Sequence, residues 1–472
     1  MVLTMVLMAI NGAAAHVAST QGAWPKARLA VLLTYLFVKE LLGFAVVVPS
    51  VSRSVLIYSS LPSHPMVLPS ITSGKKPRRL RLPRAHLSWL GFFDVSVARN
   101  IAYGSARRNL LDVYVPGGAT RSQGQLQKWP AVMFVHGGIW ATGSKELFSH
   151  LGACLAQSGV LTVVVQYTLF PEVLAWKQAR EVSSALTWFL DNAEQYGADP
   201  HRLTLMGHSA GAHLCALVLW ERFKAAQCLQ HRWAAEAGIL SPELRPEIDE
   251  EDLDKQDIRQ PCNFIGIAGV YDIVGHLKYE QKRGVDSLSC MTPAMGGKHL
   301  LEAMSPVHLF QSMGASTSIS SVGANHGSVY RNIDSAIIDN MDHLGAIDAG
   351  ICEENIENGN GEVLHESARN FDDVGVVSTG DNTACCQNLL RCTLISSWGD
   401  TVVPPDSSIS FHAILQEQFG HQSQLIMFDN LKHSDFISLD GRSPEQVSFR
   451  RHILGILQRN TLGSSLVSQP LG

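Results

Sequence analysis

"LTLMGHSAGAHL", Leu203 to Leu214, sets a serine between two glycines, directly after a β-favouring run and before an apolar pattern at helical spacing. "RLTLM" reads as a short buried strand, and Leu214, Leu217 and Val218 recur three and four apart, as on one face of a helix. A strand, an abrupt turn and a helix joined at G-x-S-x-G is the local architecture that lifts a serine hydroxyl clear of a sheet. A side chain at Gly207 or Gly211 would collide with the adjoining strand or helix, so the turn needs small residues there. Ser209 then stands at a helix N-terminus, where backbone N–H groups and the dipole favour a developing oxyanion. In a chain with 39 glycines the pentapeptide alone means little; its setting makes it informative.

Working outward, "PAVMFVHGG", "GVLTVVVQY", "NFIGIAG", "CTLISSWGD" and "SQLIMF" are short apolar runs that end in glycine or polar residues, while "VSVARNIAY" and "LLDVYVP" read as paired edge strands. Runs apolar on both faces belong inside a parallel sheet. Between them lie helical patterns such as "EVSSALTWFLDNAEQYG", where Val182, Leu186 and Phe189 line one face and Gly197 stops the helix. The alternation predicts an α/β class, with a mostly parallel central sheet and helices on both faces.

A serine hydroxyl is a poor nucleophile by itself, so a base and an orienting acid are needed. In this architecture they follow the serine in the order acid, then histidine, each just after a late strand. "TLISSWGDTVVPP" supplies Asp400 and "LIMFDNLKHSDF" supplies His433; Asp406 and Asp435 are the competing acids. The expected roles are Ser209 as nucleophile, His433 as general base and then acid, and Asp400 as the carboxylate that fixes its tautomer. "FVHGGIW", Phe134 to Trp140, closes an earlier strand where an oxyanion loop is needed, so the N–H groups of Gly138, Ile139 and Ala210 are the candidate donors. His136 reads as a loop-orienting residue, and Trp140 as either a pocket wall or core. Such chemistry needs neither metal nor organic cofactor.

Composition agrees with an enzyme-sized globular chain. Of 472 residues, 46% are hydrophobic and 17% charged, with a formal net charge of -5, which argues against global disorder and against nucleic acid as a partner. Nine cysteines show no C-x-x-C spacing and an odd total, so neither a disulfide framework nor a zinc site is expected. Residues 1–87 form a distinct N-terminal region. "LAVLLTYLFVKELLGFAVVV", Leu29 to Val48, has the length of a membrane-crossing helix, interrupted only by Lys39 and Glu40. "KKPRRLRLPR", from Lys75 to Arg84, supplies a basic excess on its C-terminal side, predicting a membrane-associated protein whose catalytic domain, residues 88–472, faces the cytosol. The competing reading of the N-terminus is a signal peptide, and that of the basic run is a solvated linker. Ser241 to Asp257 carries eight acids against two bases, and residues 311–388 read as a mobile insertion between two sheet elements.

At these residues the chain resembles the α/β-hydrolase superfamily, in the group with an HGG-x-W oxyanion loop that includes hormone-sensitive-lipase-like carboxylesterases and arylformamidases. Its closer resemblance is to isoprenylcysteine α-carbonyl methylesterases. That resemblance rests on "NIAYGSARRNLLDVYVP", "HGGIWATGSKELFSHLG", "YGADPHRLTLMGHSAGAHL", "SPVHL", "SSWGDTVVP" and "KHSDF", in that order. It implies hydrolysis of the methyl ester on a C-terminal prenylated cysteine, at an endoplasmic reticulum or Golgi membrane. Another carboxylic ester or an aryl formamide on the same machinery, or a binding protein that has lost catalysis, are the alternatives.

Overall fold

The computed structural model describes residues 26–27, 30–31, 34, 52–63, 95–117, 121–122, 125–126, 128–236, 257–317, 390–439 and 441–459. The chain divides into two compact units, Met1–Thr317 with Asn388–Gly472, and Ser318–Gln387; every described residue belongs to the first.

That unit is built on eight paired strands: β1 (Ser96–Ala102), β2 (Leu110–Val115), β3 (Trp129–Val135), β4 (Leu161–Gln166), β5 (Ala198–His208), β6 (Asn263–Ile267), β7 (Arg391–Ser397) and β8 (Ser423–Phe428). Their order across the sheet is β1-β2-β4-β3-β5-β6-β7-β8. The first two joins are antiparallel and the rest parallel, so the expected mostly parallel sheet is present. One detail differs from the sequence reading: β1 lies at the edge, but β2 is interior, paired on its other side with β4.

Both faces of the central strands are covered, which is why they read as continuous apolar runs. Along β3, Ala131, Met133 and Val135 enter one core, and Val132 and Phe134 enter the other. On the first face pack α3 (Ala175–Asn192), α4 (Ala210–Glu236), α6 (Pro306–Thr317) and α7 (Asp406–Phe419), through residues such as Leu186, Leu214, Phe310 and Phe411. On the second pack α1 (52–60), α2 (Ser149–Gln157) and α8 (Pro444–Arg459), through Ile57, Leu155 and Phe449. A further helix, α5 (Ile273–Arg283), follows β6 and is capped by Asp272, which accepts the Gly275 N–H at 2.8 Å. After α3 and one 3-10 turn, Gly197 takes φ 78° and ends the helical run where expected.

Two boundaries shift. The segment expected as an insertion from 311 begins as the last turns of α6, so 311–317 are helical. Residues 52–63, placed by the sequence reading in the N-terminal region, dock on the unit that carries the sheet: Val97 donates to the Pro62 carbonyl at 2.9 Å, and Ile57 and Leu61 are buried. Most of Leu29–Val48, the basic run 75–84, the acidic stretch up to residue 256, the remainder of the insertion, and Cys352, Cys385 and Cys386 lie outside the described residues. Among the described residues, no helix is long and apolar enough to cross a membrane.

Candidate active site

Ser209 occupies the tight connection between β5 and α4 with φ 54°, in the left-handed region that a residue with a β-carbon enters only when its surroundings force it. Its N–H donates to the Ile267 carbonyl on β6 at 2.9 Å, while its own carbonyl accepts from Ala212 and His213 in the first turn of α4. The flanking glycines are sterically required. A β-carbon on Gly211 would lie 2.2 Å from the Val135 carbonyl oxygen, and one on Gly207 would lie 2.6 Å from Ala212. The hydroxyl-bearing residue is thus fixed at the carboxyl edge of the sheet.

Parallel strands deliver the other candidates to the same edge. Asp400 follows β7 and His433 follows β8, and His433 Nδ1 lies 2.7 Å from Asp400 Oδ2. The other carboxylate oxygen accepts the Val402 and Val403 N–H groups at 2.8 and 3.0 Å, which locks the acid's rotamer. A carboxylate can only accept here, so Nδ1 carries the proton and Nε2 is left as the basic nitrogen. Neither competing acid occupies this position. Asp406 is exposed at the start of α7, and Asp435 accepts from the Lys432 N–H and from Gln446, bracing the histidine loop from behind. Ser209 Oγ makes no hydrogen bond among the described residues; catalytic contacts of this kind commonly tighten only with substrate bound.

The residue before the serine ties the two halves together. His208 donates from Nε2 to the His433 carbonyl at 3.1 Å, and the two rings lie 4.7 Å apart. Burial, followed by the proximity of His433, holds the His208 imidazole well below its ordinary pKa, so it serves as a neutral clamp. Nothing in "GHSAG" signals this role.

The loop after β3 supplies the remaining groups. Gly138, Ile139 and Trp140 all have positive φ, at 128°, 48° and 59°. The turn closes on itself, with Ala141, Thr142 and the Thr142 hydroxyl all donating to the Gly138 carbonyl. Gly137 abuts the serine, and a β-carbon there would fall 2.8 Å from both Ser209 Cβ and the His208 carbonyl oxygen. Among the described residues, the N–H groups of Gly138, Ile139 and Ala210 donate to no backbone carbonyl outside their own elements, as donors awaiting an anion would.

Buried aromatic residues hold this loop. The His136 ring lies between Tyr167 and Phe148, donates from Nδ1 to the Gly137 carbonyl at 2.8 Å, and is pushed down to about 4 by burial, so it is neutral and only weakly basic at neutral pH. Trp140 is core: it is buried, and its indole N–H donates to His213 Nδ1 at 3.1 Å, while His213 Nε2 donates to the Met304 carbonyl at 2.7 Å.

Two groups escaped the sequence reading. His276 and Glu280 share a buried face of α5, with His276 near enough to His433 and Asp400 for both to bear on its ionisation. Burial lowers His276 to about 4 and raises Glu280 to about 7. Their spacing in "HLKYE" is a helical i,i+4 pair, a signal too common to single out. Three exposed apolar residues adjoin the site residues in sequence: Ile139, in the loop after β3, and Trp398 and Val402, which flank Asp400, are 40%, 60% and 39% exposed.

The BD-FAE family model matches residues 111–319, a stretch that holds the loop after β3 and the Ser209 turn and ends before the strands that precede Asp400 and His433. A probable isoprenylcysteine alpha-carbonyl methylesterase of Oryza sativa subsp. japonica is 31% identical over 229 residues, covering 48% of this chain and 47% of the relative. A kynurenine formamidase of Danio rerio is 34% identical over 160 residues, covering 32% of this chain and 50% of its own. The chain therefore spans about half the length of these curated relatives. Among solved structures, esterase B of Lactobacillus rhamnosis superposes with a TM-score of 0.51 over 91% of this chain and 97% of its own, at 14% identity; that likeness places the fold as α/β-hydrolase-like.

Proposed function

We propose that the chain is a serine hydrolase of carboxylic esters, and that its substrate is the methyl ester of a C-terminal prenylated cysteine. The observation that carries the reaction class is the Asp400–His433 contact, made at the sheet edge that also carries the strained Ser209 elbow and the loop against it. Ser209 attacks the ester carbonyl while His433 Nε2 takes its proton. The N–H groups of Gly138, Ile139 and Ala210 hold the tetrahedral oxyanion, His433 returns the proton to the departing methanol, and water then releases the acid from the acyl-enzyme. Asp400 keeps Nδ1 protonated throughout and offsets the imidazolium charge.

The substrate class is supported by the similarity to the rice methylesterase and by the exposed apolar residues Ile139, Trp398 and Val402, which adjoin the site residues in sequence and suit a hydrocarbon chain better than a sugar or peptide. A prenylated substrate partitions into bilayers, and Leu29–Val48 would hold the enzyme at that surface with its catalytic unit on the cytosolic side. Hydrolysis exposes a carboxylate, so the product's membrane attachment weakens.

The similarity to a kynurenine formamidase favours one second reading, an aryl formamide cleaved by the same groups. Turnover of a prenylcysteine methyl ester, an aryl formamide and p-nitrophenyl butyrate by purified protein separates the two; a prenyl ester not preferred in kcat/KM overturns the substrate proposal. Labelling by a fluorophosphonate probe, present in the wild type and abolished in Ser209→Ala, tests the reaction class, and a folded wild type that resists the probe overturns it.

A further inference from the structure

Lys145 is a fully buried ammonium, its side chain 0% exposed, as is that of its partner Asp112. An ammonium has three hydrogens to place, and an unplaced one in a sealed site is costly. Two go to Asp112 Oδ1 at 3.2 Å and Glu146 Oε1 at 2.7 Å. The third goes to the Tyr58 hydroxyl at 3.2 Å, whose ring also lies under the ammonium, 5.2 Å from its centroid. Tyr58 belongs to α1, eighty-seven residues away in sequence. α1 is held there by a second set of contacts: Arg99 donates to the Tyr58 and Leu61 carbonyls at 2.6 and 2.9 Å, and Ser149 Oγ donates to the Ser54 carbonyl.

What Lys145 begins is the 3-10 turn Lys145–Phe148, two residues past Gly143. Arg108 fixes Gly143 by donating to its carbonyl at 2.8 Å. Phe148, at the other end of that turn, stacks on the His136 ring with centroids 5.5 Å apart and planes 8° from parallel. His136 in turn holds the Gly137 carbonyl, and Gly137 lies against Ser209. The Tyr58 hydrogen bond, the backbone of the turn Lys145–Phe148 and the stacked Phe148 and His136 rings thus connect α1 to the loop after β3, a contiguous physical path of the kind that can carry coupling.

We propose that Tyr58 is a positioning residue for hydrolysis: docking of α1 completes the shell of Lys145 and thereby sets the turn, the His136 ring and the donors of Gly138 and Ile139 opposite Ser209. Its bearing on catalysis rests on the esterase reading; its bearing on the loop does not. Loss of the hydroxyl loosens the turn behind the loop, which weakens oxyanion stabilisation and leaves ground-state binding alone, so the effect falls on kcat.

The test uses the full chain carrying Tyr58→Phe, Lys145→Met and both changes. Active sites are counted with a fluorophosphonate, so unfolded molecules drop out of the comparison. Tyr58→Phe is expected to lower kcat on p-nitrophenyl butyrate about fivefold per titrated site, the scale of one ordinary hydrogen bond transmitted to the loop, with KM within twofold. Because both residues act through one contact, the double variant should be no slower than Lys145→Met alone. Hydrogen exchange gives a readout independent of activity: amides of residues 136–148 should exchange faster in Tyr58→Phe, while those of α8 stay unchanged. Wild type that neither hydrolyses esters nor takes the probe would end the esterase reading but leave the exchange result decisive for the loop. Unaltered exchange over 136–148 overturns the proposal, as does a multiplicative loss of kcat in the double variant.

Discussion

Ser209, Asp400 and His433 come from three distant stretches of chain, and their order after successive strands was legible because parallel strands all end at one edge. Less legible were residues whose work depends on the fold closing over them. No sequence pattern marks His208 as the residue that clamps the His433 backbone, or Trp398, two residues before the acid, as 60% exposed. Asp400→Asn keeps the shape but offers His433 an amide that can donate, which permits the wrong tautomer; kcat is expected to fall by about 10⁴ with KM little changed, read by steady-state kinetics. Gly137→Ala would press a methyl group against Ser209 and the His208 carbonyl and push the loop aside, so a loss of about 10² to 10³ in kcat is expected, as when one oxyanion donor is removed. Trp398→Ala discriminates on the substrate side. It should raise KM for a prenylated ester several-fold and leave p-nitrophenyl butyrate unaffected; equal effects on the two would assign the indole a structural role.

Elements were legible where one rule governed them. Strands buried on both faces announce themselves as apolar runs, and α3 is marked by its stripe of Val182, Leu186 and Phe189 and by Gly197 after it. Neighbourhood was not legible: periodicity gives β2 a strand but not its interior place between β1 and β4, and low apparent periodicity after residue 311 hid the last turns of α6. α5 shows how an ordinary-looking helix acquires pH dependence. Glu280 accepts from Ser289 Oγ through Oε1, whereas Oε2 is buried without a partner, and burial moves the group from 4.5 up to about 7. Between those values the folded state holds a proton that the unfolded chain has released, so stability from this group falls as pH rises and is fully lost above about 7. His276, lowered from 6.5 to about 4, works in the opposite direction and only in the acid range, with stability lost as pH drops through that window. Glu280→Gln cancels the first effect alone. Its stability relative to wild type should therefore improve by about 2 kcal/mol from pH 5 to pH 8, measured by urea unfolding, following the roughly 1.4 kcal/mol that each pKa unit represents. A difference that does not change with pH would show that Glu280 ionises normally.

Across the whole molecule, a boundary drawn from composition separates α1 from the sheet on which it packs. "SVLIYSSL" within residues 54–61 sits between an apolar segment and a basic run, and its partners Arg99, Lys145 and Ser149 are too distant in sequence to leave a local pattern. α1 starts only four residues past Val48, so if Leu29–Val48 is an anchor the intervening chain can reach no more than about 14 Å, at roughly 3.5 Å per residue. The unit that carries Ser209 would then be held close to the bilayer, which a long flexible tether would not ensure. The truncation that tests this must stop before α1. Removing residues 1–50 should move the protein from the membrane pellet to the supernatant, keep kcat on p-nitrophenyl butyrate within twofold, and lower turnover of a vesicle-embedded prenylcysteine methyl ester by tenfold or more, because the enzyme and its substrate no longer share a surface. Persistence in a salt-washed pellet would locate the anchor elsewhere in the chain. Removing residues 1–64 should also free the protein, but it strips Tyr58 from Lys145, and the small ester should then be hydrolysed more slowly as well; a 1–64 deletion as active as the 1–50 deletion would make α1 a passive cover.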